Sequence, residues 1–234
     1  MKIKVMTFNT QHCLNYVKQE IDFDIMSKTI LDCDADIVAL NEMRGLGTDP
    51  NYTAQVETLA RLTRIKHFYF AKAIDTAGGP YGNGILSKIP ILDARIITIP
   101  DPLTKSYSQH YETRCVLKAS LEGGITVLVT HMGLNPDEKQ NAISIVTSQI
   151  TDQRCILMGD FNMTPNDPLL FPISDRMKDT AICFDNEKLS FPSDHPVRKI
   201  DYIFVSNDIE VISADIPSIV ASDHRPQIAE IILN

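Results

Sequence analysis

The chain has no tryptophan, and only 7% of its residues are aromatic. Base-stacking platforms of the kind that hold single-stranded nucleic acid are therefore scarce. Positive charge is also short. Lys and Arg number 22 against 30 Asp and Glu, a net charge of −8. A chain-wide basic footprint for a polynucleotide is absent, although a local groove can differ from the average. Cysteine is sparse and irregular: Cys13, Cys33, Cys115, Cys155 and Cys183, with no Cys-x-x-Cys. An odd count without pattern argues against a disulfide framework or a zinc cluster. Three of these thiols sit beside apolar strand residues and read as small core fillers, and the setting reads as reducing. No apolar run approaches the roughly 20 residues of a membrane helix. The opening run from Met1 to Phe8 is too short for a signal peptide. The expectation is a soluble, cytoplasmic, monomeric chain with no indicated protein partner. No Ser-His-Asp elbow, Walker loop or G-x-G-x-x-G occurs, so the motif-borne chemistries of those sites have no anchor here.

What is present suits a globular chain of one domain, residues 1–234. Hydrophobic residues make up 44%, enough for a sizeable core, while 22% charge and 13 prolines argue against disorder. Apolar runs predict strands at Lys2–Asn9, Asp36–Leu40, His67–Ala73, Ile85–Ser87, Pro90–Ile99, Arg154–Met158, Lys199–Val205 and Ile228–Leu233. A hairpin is expected from Thr113–Leu121 through Glu122-Gly123-Gly124 to Ile125–Thr130. Helical spacing covers Asp24–Leu31, Tyr52–Leu62 and Asp137–Ile150, the last with Pro136 near its start. Residues 78–84 read as a glycine-dense loop, and Ile209–Ile212 as the antiparallel partner of Lys199–Val205. Residues 163–199 carry the weakest pattern, as long functional loops do. Strands outnumber helices, which suggests antiparallel or mixed sheets packed together with helices outside.

The chemistry gathers where strands end. Asn9, Glu42, His131, Asp160, Asn162, Asp223 and His224 follow apolar runs, and Asp201 sits inside one. Gly159-Asp160-Phe161-Asn162 places a carboxylate and an amide two residues apart at a strand mouth. There they can hold a water and a phosphate oxygen, or they form an ordinary turn. Glu42 reads either as a metal ligand or as a solvated loop acid. Asp201, between Ile200 and Tyr202, is costly to bury unpaired. Either it faces solvent on an edge or it pairs with an imidazole, and His224 is the natural candidate. Oxygen ligands without thiolates suit Mg²⁺, Mn²⁺ or Ca²⁺.

The ordered set Phe8-Asn9, Asn41-Glu42, Tyr81-Gly82-Asn83-Gly84-Ile85-Leu86-Ser87, Thr130-His131, Gly159-Asp160-Phe161-Asn162, Ile200-Asp201-Tyr202-Ile203 and Ser222-Asp223-His224-Arg225-Pro226 resembles the endonuclease/exonuclease/phosphatase superfamily. The resemblance implies an α/β fold, a four-layer α/β/β/α sandwich. It implies a Mg²⁺-dependent phosphoesterase, acting on a small-molecule, lipid-headgroup or nucleic-acid ester. By motif match Glu42 is the main metal ligand, with Asn9 beside it and Asp223 as a further carboxylate. Asp160 orients or deprotonates the attacking water, and Asn162 holds the phosphate. His224, supported by Asp201, polarises a phosphoryl oxygen or transfers a proton. His131 matches a leaving-group-side histidine. Tyr81, Asn83 and Arg114 are candidate substrate contacts. Asn9-Thr10-Gln11-His12 lacks the acid that some repair enzymes carry there. Phe191-Pro192-Ser193-Asp194-His195-Pro196 is similar to small bacterial members near the sphingomyelinase-like branch. A DNA or abasic-site nuclease is the alternative, and a binding module without catalysis a further one.

Overall fold

The computed structural model describes residues 1–233. In chain order the elements begin with β1 (Lys2–Asn9), β2 (Leu14–Asn15), β3 (Glu20–Ile21), α1 (Phe23–Cys33), β4 (Ile37–Arg44) and α2 (Gln55–Thr63). They continue with β5 (His67–Asp75), β6 (Pro80–Ser87), β7 (Ile91–Ile99), β8 (Arg114–Leu121), β9 (Ile125–His131) and α3 (Pro136–Gln149). The last are β10 (Cys155–Asp160), α4 (Phe171–Ser174), β11 (Met177–Asp179), β12 (Asp201–Ser206), β13 (Glu210–Asp215) and β14 (Gln227–Ile232). Caps fix the helix starts. Asp22 accepts from Ile25 N at the head of α1. Glu138 accepts from Asn135 N at 3.1 Å ahead of α3, which opens on Pro136.

Two six-stranded mixed sheets form a sandwich. One runs β13-β14-β1-β4-β6-β5 and the other β11-β12-β10-β9-β8-β7. Alternation along each strand explains the layers. On β1, Ile3 and Val5 face the second sheet and pack with Leu117, Val127 and Met158. Met6 and Phe8 face outward, against Met26 and Ile30 of α1 and Leu59 of α2. On β10, Ile156 and Met158 point inward, while Cys155 and Leu157 meet Ile143 and Val146 of α3 on the far side. The result is the α/β/β/α order. Central strands are buried on both faces, which is why they read as continuous apolar runs.

Register lines up the strand ends. Parallel pairing sets Asn9 opposite Asn41 across β1 and β4. In the other sheet Asp160 stands between His131 on β9 and Asp201 on β12. One end of the sandwich therefore collects polar side chains from both sheets.

Three expectations are corrected. The strand predicted at Ile209–Ile212 is β13, and it pairs with β14 in the first sheet, not with β12. Residues 80–84 are strand, not loop. A Cβ on Gly82 would run into the Ala71 backbone, and one on Gly84 into Val56 of α2. These glycines serve close packing within a strand rather than a turn. The strand at Asp36–Leu40 continues to Arg44, through a register shift between Leu40 and Met43. Glu42 sits in that shift with φ +61°. Such an irregularity re-aims a side chain next to a site.

Candidate active site

The site grows from Asp160, the last residue of β10 and only 2% exposed. Its backbone N–H donates to Asn41 Oδ1 at 3.0 Å, across the gap between sheets. Asn41 Nδ2 returns the link, donating to Thr130 O and to Asn83 Oδ1, both at 2.9 Å. Gly159 makes room for this. Its φ is +148°, and a Cβ there would collide with the same Thr130 carbonyl. The Asp160 carboxylate accepts from Asn162 N at 2.9 Å and from Asn9 Nδ2 at 3.1 Å. Asn9 Nδ2 also reaches Glu42 Oε1 at 3.0 Å, and Asn9 Oδ1 accepts from Gln11 N. Asn9 thus bridges the two acids through its amide hydrogens. Asn162, at φ +52°, turns its Nδ2 onto Met132 O at 3.0 Å.

Two imidazoles flank Asp160 Oδ2. His131 Nε2 is 3.5 Å away and His224 Nε2 3.6 Å. His224 Nδ1 lies 2.8 Å from Asp201 Oδ2, so the apolar strand β12 buries its carboxylate with a partner. The Phe191 ring packs on His224 with centroids 4.8 Å apart. The two histidines differ in charge. Burial pulls His224 down, but Asp201, Asp160 and Asp223 together outweigh it and lift the imidazole to about 10. His131 moves the other way. Burial, aided by the positive Arg114 and His224, holds it well below the ordinary 6.5. Burial pushes Asp160 up, with Asp201 adding to the rise and His224 opposing it.

The structure brings Asn9, Glu42, His131, Asp160, Asn162, Asp201, Asp223 and His224 to this one end. Burial and the neighbouring Asp223 raise Glu42, and burial raises Asp223 in turn, with His224 opposing. Tyr81 stands beside Glu42; burial and that acid push its phenol upward. Asn83 lies deeper, 2% exposed, with its Nδ2 on Cys115 O at 3.2 Å. Its amide steadies Asn41 behind the acids. Arg114 contacts His131 Nδ1 at 3.1 Å and forms an ion pair with Glu112 at 2.8 Å. Sequence alone assigned no site role to Asn41, which stood only within a motif, to His12, which read as an ordinary core or surface histidine, or to Glu112. Asn41 had a signal, as a polar residue closing an apolar strand. His12 Nδ1 lies 3.9 Å from Glu42 Oε2, and burial with nearby Arg44 lowers it to about 4. Nothing in its sequence context marks it.

A cation fits one part of this set better than another. Asp160, Asp201 and His224 offer atoms within 4.8 Å of one another. Both His224 nitrogens, however, face carboxylates, and an imidazolium has no lone pair to give. In that trio His224 Nδ1 is hydrogen-bonded to Asp201 Oδ2 at 2.8 Å and Nε2 lies 3.6 Å from Asp160 Oδ2, so the imidazole is committed to the two acids rather than to a cation. Glu42 keeps 21% of its side chain exposed, and with Asp223 forms an acid pair whose mutual repulsion a hard cation would relieve.

The fold and site define a class: two-sheet sandwiches that gather acids and imidazoles at one end of both sheets. The chain belongs to the Endonuclease/Exonuclease/phosphatase family, whose model matches residues 6–224. Members of this family are generally hydrolases of phosphoesters and generally depend on a divalent metal. An endonuclease/exonuclease/phosphatase protein from Bacteroides vulgatus superposes with TM-score 0.77 at 19% identity, covering 100% of both chains. A Bacteroides thetaiotaomicron mannosyl-6-phosphatase gives TM-score 0.79 at 14% identity, over 99% of this chain and 100% of that one. Truncated Caenorhabditis elegans TDP2 gives 0.67 at 14%, over 99% of this chain and 98% of that one. At these identities the likeness concerns the fold. A search of curated protein sequences finds no match.

Proposed function

We propose that this protein is a Mg²⁺-dependent phosphoesterase that hydrolyses a phosphodiester, with Asp160 as the group that activates water. The observation that supports this most is the hub at Asp160: a buried carboxylate between one neutral and one protonated imidazole, with amides on its other sides. Glu42 and Asp223 would hold the metal, with Asn9 beside them. When bound, the cation supplies positive charge that offsets the substrate's anionic oxygens.

The protein's own groups do the rest. Asp160 orients a water in line with the phosphorus and takes its proton as the new P–O bond forms. Asn162 and Asn9 fix the carboxylate so that one oxygen faces the water. The His224 imidazolium, held by Asp201, donates to a non-bridging oxygen where charge builds. His131 faces the bond that breaks. The whole chain serves as one catalytic domain. Its net charge of −8 favours a small phosphate ester over a long polyanion.

A panel with and without Mg²⁺ tests this: bis-p-nitrophenyl phosphate, p-nitrophenyl phosphate, plain and abasic DNA, poly(A) and sphingomyelin, alongside Asp160→Ala. The expected result is metal-dependent diester turnover that the variant loses. Turnover of DNA with steep salt dependence would move the reading to a nuclease. A panel untouched, in a protein that binds no Mg²⁺, would favour a binding module.

A further inference from the structure

The two histidines of the site look alike in sequence but are wired in opposite ways. His224 presents Nδ1 to a carboxylate, Asp201, at 2.8 Å. His131 presents Nδ1 to a guanidinium, Arg114 Nη1, at 3.1 Å. An arginine N–H can only donate, and the group stays charged across the accessible pH range. The lone pair of a neutral imidazole must then sit on Nδ1 of His131, and the ring hydrogen on Nε2. Nε2 in turn faces Asp160 Oδ2, an acceptor, at 3.5 Å.

One contact competes. Asn162 Nδ2, a donor, lies 3.4 Å from His131 Nε2. That amide already donates to Met132 O at 3.0 Å. The charged donor at the shorter distance prevails over a neutral one that has a better acceptor. Arg114 is itself held. Glu112 Oε1 is 2.8 Å from the same Nη1, and only 14% of the Arg114 side chain is exposed. Every charged group facing His131 from the strands around it fits: Arg114 from β8, His224 from the loop before β14, and Asp160 from β10.

We propose that Arg114 is a positioning residue that fixes His131 as the neutral Nε2–H tautomer, so that His131 donates a hydrogen bond and transfers no proton. The hydrogen-bonding role rests on the phosphoesterase reading; the tautomer does not. Burial and the two nearby cations, which hold His131 well below 6.5, agree with it. Asp160 then takes the proton of the attacking water while His224 donates a hydrogen bond to a non-bridging oxygen. As the other P–O bond breaks, the leaving oxygen accepts a hydrogen bond from Nε2–H and takes its proton from solvent.

Nitrogen-15 NMR of the imidazoles, in labelled full-length protein with Mg²⁺, tests this directly. His131 should show a pyridine-type Nδ1 and a pyrrole-type Nε2, unchanged as pH falls to below the ordinary histidine value of about 6.5. In Arg114→Met the ring should become a mixture of tautomers and titrate at higher pH than in the unmutated protein, though burial and His224 still hold it down. A new acid limb should enter the kcat profile, with kcat down about tenfold or more and KM changed less. Arg114→Lys keeps a charged donor and should restore the tautomer. A Nδ1–H or doubly protonated His131 in the unmutated protein at neutral pH would overturn the assignment. So would an Arg114→Met protein whose His131 signals do not move, even if its turnover falls. If Arg114→Met does not fold, the unmutated spectrum and Arg114→Lys still decide. The spectrum needs no turnover, so an intact tautomer in a protein that hydrolyses no phosphoester would count against the proposed activity alone.

Discussion

A carboxylate inside an apolar strand needs a positive partner, and at Asp201 the partner is His224, 2.8 Å away. The partnership sets a pH window. With its folded value near 10, above the ordinary 6.5, His224 stays charged through neutral pH and loses its proton only as pH rises through about 10. Asp201→Asn keeps the shape but removes the nearest negative charge. The alkaline limb of kcat/KM should move to lower pH, and turnover at mildly alkaline pH should fall about 10²-fold. Superimposable profiles would show that Asp201 does not control the imidazolium. Gly159 makes a different demand. Adding a methyl at φ +148°, against Thr130 O, should cost roughly 3 kcal/mol or more and break the Asn41 crosslink. Chemical denaturation of Gly159→Ala checks this, and a loss under about 1 kcal/mol would mean the strand can shift aside.

At the scale of elements, much of the site was legible because an apolar run that meets an acid, amide or imidazole breaks its own pattern. Asn9, Glu42, His131 and Asp160 stand out for that reason. Asp201 stands out because its strand neighbours on either side are apolar. What could not be read was register. His131, Asp160 and Asp201 share one row only because β10 pairs with β9 on one side and β12 on the other. Strand partners far apart in sequence leave no local trace, and Ile209–Ile212 was misassigned to its nearest neighbour for the same reason. Glycine misled at residues 80–84, since a residue without a Cβ signals close approach as readily as a turn. Arg114 and Glu112 resemble solvated charges until the fold covers them. The weakly patterned stretch 163–199 supplies Phe191, on which the Arg198 guanidinium stacks at 5.2 Å while His224 packs at 4.8 Å. Arg198 is exposed at the rim of the site. Arg198→Ala should raise KM several-fold for substrates with a second anionic group and leave kcat nearly unchanged. Equal KM values for singly and doubly anionic substrates in both proteins would remove Arg198 from recognition.

For the molecule as a whole, the acids of the site are a cost to folding that a bound cation would offset. Burial raises Glu42, Asp160 and Asp223, so each carboxylate destabilises the folded chain once it is ionised. Added Mg²⁺ should therefore raise Tm by mass action. Glu42→Gln should match or exceed the unmutated protein in chelator, and gain little from Mg²⁺. A full Mg²⁺ shift in that variant would place the cation elsewhere. The crosslink from Asn41 to Asp160 and Thr130 has a further consequence. Because it ties one sheet to the other at the reacting end, the halves of the sandwich cannot slide apart there without dismantling the machinery. Catalytic competence is then a report on sheet docking. In a urea series, activity and far-ultraviolet circular dichroism should vanish together. No inactive species with native strands should accumulate, because the joint that aligns the chemistry is the joint that closes the protein.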